Sequence, residues 1–106
     1  MRFSESSNDE RHFLFFEDFE DERFDEFVEL VLKALSASVI DCLHAPYADL
    51  LTIDFEQHQL TLTSGSLEGC FLTMEKKESY LVEYITRACE KKFAALNNGD
   101  VIHRGS

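Results

Sequence analysis

Eight carboxylates lie within thirteen residues: Glu17, Asp18, Glu20, Asp21, Glu22, Asp25, Glu26 and Glu29, with Arg23 the single base among them. On a helix, acids three and four apart stand ~5–6 Å from each other and repel by ~0.2–0.5 kcal/mol per pair. Such a row can hold a hard cation, or it can imitate phosphates and meet a basic protein surface. Spacing tests the first option. Asp18, Glu20, Glu22 and Glu29 fall at offsets one, three, five and twelve, as in an EF-hand loop. The sixth position is Arg23, where the sharp turn needs glycine, and the offsets cut through a helical apolar stripe. The basic-partner reading meets no such obstacle.

Other chemistry is thinly represented. Cys42 and His44 are zinc-binding types two residues apart, but two ligands do not make a tetrahedral site. His12, His58 and His103 are scattered, and Cys70 and Cys89 fall in other elements. No GxSxG elbow occurs, and Gly65 and Gly69 stand alone, so no phosphate-cradling loop is formed. We assign no catalytic residue, metal or cofactor, and expect a protein that is not an enzyme.

Charge narrows the partners. The 106 residues carry twenty-one acids and ten bases, a net of −11. Residues 1–29 hold eleven of the acids and three of the bases, a net of −8. Direct nucleic-acid binding needs a basic footprint, and anionic membranes repel such a chain. A basic protein partner would be attracted and its association accelerated. No apolar run approaches the ~20 residues that cross a bilayer. Residues 1–11 hold no apolar core of a secretion signal. Three widely spaced cysteines without a CxxC suit a reducing compartment. We therefore expect a cytoplasmic protein.

The elements follow from periodicity. Residues 12–17, HFLFFE, read as a strand with Phe13 and Phe15 on one face and Leu14 and Phe16 on the other. Phe24, Phe27, Val28, Val31 and Leu35 form a helical stripe, predicting a helix over 20–37 capped by Asp18 or Asp21. Residues 39–44 are ambiguous between strand and helix extension, with strand preferred; Pro46 ends them. Leu51, Ile53 and Phe55, a turn at 56–59, then Leu60 and Leu62 predict a hairpin. A turn at Ser64-Gly65-Ser66 leads to a strand with Cys70, Leu72 and Met74 on one face. A second helix begins near Glu78 or Ser79, sets Leu81, Tyr84, Ile85, Ala88, Lys92 and Phe93 on or beside one face, and stops at Asn97-Asn98-Gly99.

The sum is an α+β two-layer sandwich: an antiparallel sheet of four to five strands with two amphipathic helices on one face. Residues 1–11 are expected as a flexible arm, 12–97 as one domain and 98–106 as a flexible tail. The expected function is a small acidic module that neutralises or escorts a basic partner. Immunity proteins, antitoxins of nucleases and nucleic-acid-mimicking inhibitors share this size and charge, although no motif ties the chain to them. Its contact residues would be the eight acids with Phe13, Phe15 and Phe19, which fall outside the helix stripe. The alternative is a homodimeric assembly or chaperone-like protein whose acids serve solubility.

Overall fold

Strict alternation builds the sheet. Leu51, Ile53 and Phe55, then Leu60 and Leu62, then Cys70, Leu72 and Met74 recur at period two, and all are buried. A computed structural model places them on one face of a six-stranded antiparallel sheet. It describes every residue except Tyr47, Ser66, Leu67 and Ser106, with side chains through Leu96. The strands are β1 Phe3–Ser7, β2 Arg11–Phe16, β3 Ser38–Ala45, β4 Ala48–Phe55, β5 His58–Gly65 and β6 Gly69–Glu75, in the spatial order β1-β2-β6-β5-β4-β3. Helix α1, Phe24–Leu35, follows a 3-10 turn at Asp21–Arg23; helix α2, Leu81–Gly105, follows another at Lys76–Glu78.

The order has a simple cause. The β1–β2 hairpin forms one side, and β3 to β6 form a meander that returns to pair β6 with β2. Twelve helical residues are ~18 Å long. The four strand spacings from β2 to β3 span ~19 Å. Helix α1 and its flanking turns therefore have the reach to carry the chain from one side of the sheet to the other. Phe27, Leu30, Val31 and Leu35 of α1 join Leu81, Val82, Ile85 and Cys89 of α2 over Leu14, Phe16 and the meander residues in one core cluster. Burying a side chain of this size contributes ~1.5–3 kcal/mol.

Several expectations are corrected. The sheet has six strands, not four to five, because the segment read as an arm supplies β1. Phe3 to Ser7 pair with Phe16 to His12, and the Phe3 ring meets Phe16 edge-on at 5.1 Å. An edge strand lives on ladder hydrogen bonds, so FSESS shows little apolar alternation. Residues 38–45 are a strand throughout. Helix α1 is shorter than predicted and has no acidic cap: Arg23 holds the N-cap position without a side-chain bond, and the Asp18 carboxylate accepts the Arg2 N–H at 2.7 Å instead. In α2 the buried stripe runs through Val82 and Cys89, whereas Tyr84 is 55% exposed. The helix continues past Asn97-Asn98-Gly99 into the expected tail. Asn and Gly cost a helix at most ~1 kcal/mol each, so they do not compel a stop. Ser66 of the predicted turn lies outside the described residues.

The β4–β5 hairpin is tighter than expected. Phe55 pairs with His58, leaving Glu56 and Gln57 as a two-residue loop with φ of 49° and 73°. Left-handed angles at both positions define the turn whose favoured second residue is glycine. Gln57→Gly should stabilise the fold by about 1 kcal/mol and raise the melting temperature by ~4–8 °C. A thermal melt showing no gain would contradict this strain.

Candidate functional site

The acid-rich segment is fixed by its backbone rather than by its carboxylates. Phe19 and Glu20 fold against the start of β6: the Phe19 carbonyl accepts the Cys70 N–H at 3.3 Å, and the Glu20 carbonyl accepts the Cys70 thiol at 3.3 Å. Gly69 permits this approach. Its φ is +75°, and a Cβ there would stand 3.0 Å from the Phe19 carbonyl oxygen. Arg23 ties the other end. Its guanidinium donates to the Asp18 carbonyl at 3.2 Å, pairs with Glu26 and lies 4.9 Å over the Phe19 ring.

The side chains of the run therefore point outward. Glu17, Glu20, Glu22, Asp25, Glu26 and Glu29 are exposed, and Asp18 and Asp21 are half-buried. Glu26 pairs with Arg23, and Glu29 pairs with Lys33 at 2.6 Å. The Glu26 hydrogen bond, followed by attraction to Glu26, Glu20 and Asp18, lifts the Arg23 pKa above its ordinary value. The Lys33 hydrogen bond and charge hold Glu29 below the usual carboxylate range. The other six acids form no ion pair among the described residues. Asp18, Glu20, Glu22 and Glu29 are spread over a loop, a 3-10 turn and a helix. No group of three or more His, Cys, Asp or Glu side chains among the described residues is arranged to hold a metal ion. No helix among them is long and apolar enough to cross a membrane.

The three phenylalanines named with the acids separate. Phe19 is buried, in contact with Phe27 and Phe93 at centroid distances of 6.0 and 6.3 Å. It belongs to the core, because its loop folds inward onto β6. It also helps floor a groove of about 210 Å³ with Leu30, Phe93 and Leu96, rimmed by Arg23, Glu26, Glu29 and Lys33. Phe13 and Phe15 lie on the opposite face of the sheet, clustered with Phe71 at 6.1 and 5.2 Å.

That opposite face is the surface the sequence concealed. One row crosses the sheet as Ser4, Phe15, Phe71, Thr63, Leu50 and Leu43. The next runs Ser6, Phe13, Thr73, Thr61, Thr52 and Asp41. Only Asp41, at the β3 edge, is charged. The rows cannot be read without the register. A second hidden feature is a groove of about 600 Å³ between α1 and α2, lined by Lys33, Arg87, Lys91 and Lys92 over Ala34, Ala88 and Ala95. It gathers four of the ten bases, and the helical spacing of Arg87 and Lys91 was its one sequence signal.

No known protein family, curated protein or solved structure matches the chain.

Burial divides the thiols. It pushes Cys70 up to about 11, with Asp21 adding to the rise, and Cys89 up to about 12. Cys42 is exposed. A neutral thiol reagent should modify one of the three cysteines in the folded protein and all three after denaturation. Rapid native labelling of Cys70 or Cys89, read by mass spectrometry, would contradict the packing.

Proposed function

We propose that the chain is a small acidic protein-binding module of the cytoplasm that neutralises or escorts a basic partner, in the manner of an immunity protein, antitoxin or nucleic-acid-mimicking inhibitor. The observation that carries this reading is the groove floored by Phe19, Leu30, Phe93 and Leu96 beside the carboxylates of Glu26 and Glu29. Charge alone attracts without specificity, and a tight interface also needs a desolvated apolar anchor. Here both stand together. The exposed acids from Glu17 to Glu29 would engage lysines and arginines of the partner, and one of its apolar side chains would enter the groove. In a nuclease partner, the phosphate-binding cations would thereby be occupied. The two-layer arrangement serves this role by setting the acids on the helix side of a rigid sheet.

The test uses the full chain as bait in native lysate at ~0.1 and ~1 M salt, across which the Debye length falls from ~10 to ~3 Å. Proteins captured at low salt should be basic and should be lost at high salt. The triple variant Asp25→Lys, Glu26→Lys, Glu29→Lys should capture none of them while keeping its circular dichroism. The same catch by the folded triple variant would sink the proposal.

A second reading is favoured by the phenylalanine and threonine rows of the open sheet face: a homodimer of assembly or chaperone type. Two rows of this face carry one charge, Asp41, and are bordered by Arg11, Glu75 and Asp54, so two copies can approach through those rows with their helix-side acids turned outward. A two-fold axis parallel to the strands, between β6 and β5, would set Phe13, Phe15 and Phe71 of one copy over the smaller threonines and Leu50 of the other. Strand spacings give roughly 400 Å² per copy in projection, about 800 Å² for the pair and below the ~1,200 Å² of stable interfaces, so the dimer would be weak. Sedimentation at ~100 μM should then show a dimer that Thr61→Lys dissociates. A monomer at that concentration would remove this reading.

A further inference from the structure

The uncovered edge of the sheet carries a thiol, an imidazole and a carboxylate in sequence. Cys42 and His44 lie two apart on β3, on the face that the helices cover elsewhere, and register sets Asp49 of β4 directly opposite His44. The Cys42 Sγ is 3.6 Å from His44 Nε2, and His44 Nδ1 is 2.8 Å from the Asp49 carboxylate. The thiol and the carboxylate thus engage opposite nitrogens of one ring. They do not converge on a common point, so the group is a relay rather than a metal cage. Asp49 takes the Nδ1–H, which leaves the Nε2 lone pair facing the thiol. This is the arrangement in which an imidazole removes a proton from a nucleophile and a carboxylate fixes the ring.

We propose that Cys42 is an activated surface thiol that accepts small disulfides by exchange. His44 Nε2 takes the thiol proton and passes it to solvent. The Cys42 sulfur attacks one sulfur of the disulfide, a new S–S bond forms, the old one breaks, and the other sulfur leaves with the electron pair. His44 is the base, and Asp49 is a positioning residue. The product is a mixed disulfide on β3. Cys70 and Cys89 are buried, so neither reaches Cys42 to displace the added group, and an external thiol is required to reverse the reaction. The site is open to reagent: Cys42 is exposed, and the side chain of His44 is 78% exposed. The charged or titratable groups that contact Cys42 and His44 among the described residues are Asp49 and Asp41, whose carboxylate accepts the Cys42 N–H at 2.8 Å. No cation contacts the thiol among the described residues, so activation falls to the imidazole as a base.

The experiment follows the reaction of the full chain with dithiodipyridine, an uncharged disulfide that the acidic surface does not repel. At pH ~7 the wild-type protein should react at least about tenfold faster than His44→Ala, which lacks the base that takes the thiol proton. The two rates should converge at high pH, where hydroxide replaces the base. Asp49→Asn should fall between them, and added imidazole should restore part of the rate to His44→Ala. Mass spectrometry should place the adduct on Cys42. Equal rates for wild type and both variants at pH ~7, or an adduct on Cys70 or Cys89, would overturn the proposal. His44 and Asp49 contribute nothing to the core, so circular dichroism should be unchanged; if His44→Ala unfolds, the Asp49→Asn rate and its pH profile decide.

Discussion

Two helices can cover only part of a six-stranded sheet, and most of the molecule's surface follows from that limit. Packed helices stand 8–10 Å apart, so a pair spans ~20 Å, about the width of four strands. The buried strand residues come from β2, β6, β5 and β4, the four central strands. Strands β1 and β3 lie beyond the helices. Val39, Ile40 and Leu43 of β3 are at least half exposed although apolar. The whole second face of the sheet is also left without a helix layer. Three surfaces therefore stand out: an acidic helix side, an open sheet face rich in phenylalanine and threonine, and an uncovered β3 edge.

Electrostatics sorts these surfaces by sign. Acids in the first turn of α1, Asp25 and Glu26, meet the positive end of the helix dipole, while Lys33 lies in its last turn. That preference alone begins to separate the charges along α1. Helix α2 adds Arg87, Lys91 and Lys92 beside Lys33, producing a cationic groove next to an acidic ledge. Net charge describes neither. A chain of −11 can present a locally basic groove because its acids are crowded into the first twenty-nine residues. The ledge and groove share Lys33, whose bond to Glu29 joins the two fields.

Much of this was legible from local patterns. Period two located β4, β5 and β6 and their buried faces residue by residue, since burial of one face forces alternation. The α1 stripe was legible for the same reason at a period of 3.6. The misses have common physics: each depended on a partner distant in sequence. Strand β1 is polar because its stability comes from pairing with β2. Phe19 looked superficial because it lies outside the helix period, yet its loop turns inward onto Gly69 and Cys70. Phe13 and Phe15 were correctly set apart from Leu14 and Phe16, but their neighbour Phe71 comes from a strand more than fifty residues away. Six of the eight acids are exposed, but they spread over a loop, a 3-10 turn and a helix rather than along one helix face, and the groove beside them needs both helices.

Register decides the β3 edge most sharply. Val39 pairs with Ile53, but Asp41 pairs with Thr52, so Ile40 is an extra residue. Such a bulge reverses the faces of everything beyond it. Without it, Asp49 would stand opposite Leu43, and Cys42 and His44 would turn to the open face. With it, Leu43 joins Leu50 there, while Cys42 and His44 move to the helix side beside Asp49. One inserted residue thus moves Cys42 and His44 off the open face, sets Asp41 on it, and assembles the thiol, imidazole and carboxylate. Because α1 and α2 stop short of β3, that assembly remains open to solvent. The same narrow cover that leaves the edge exposed gives its side chains access to a reagent, and the bulge supplies the geometry for them to act together.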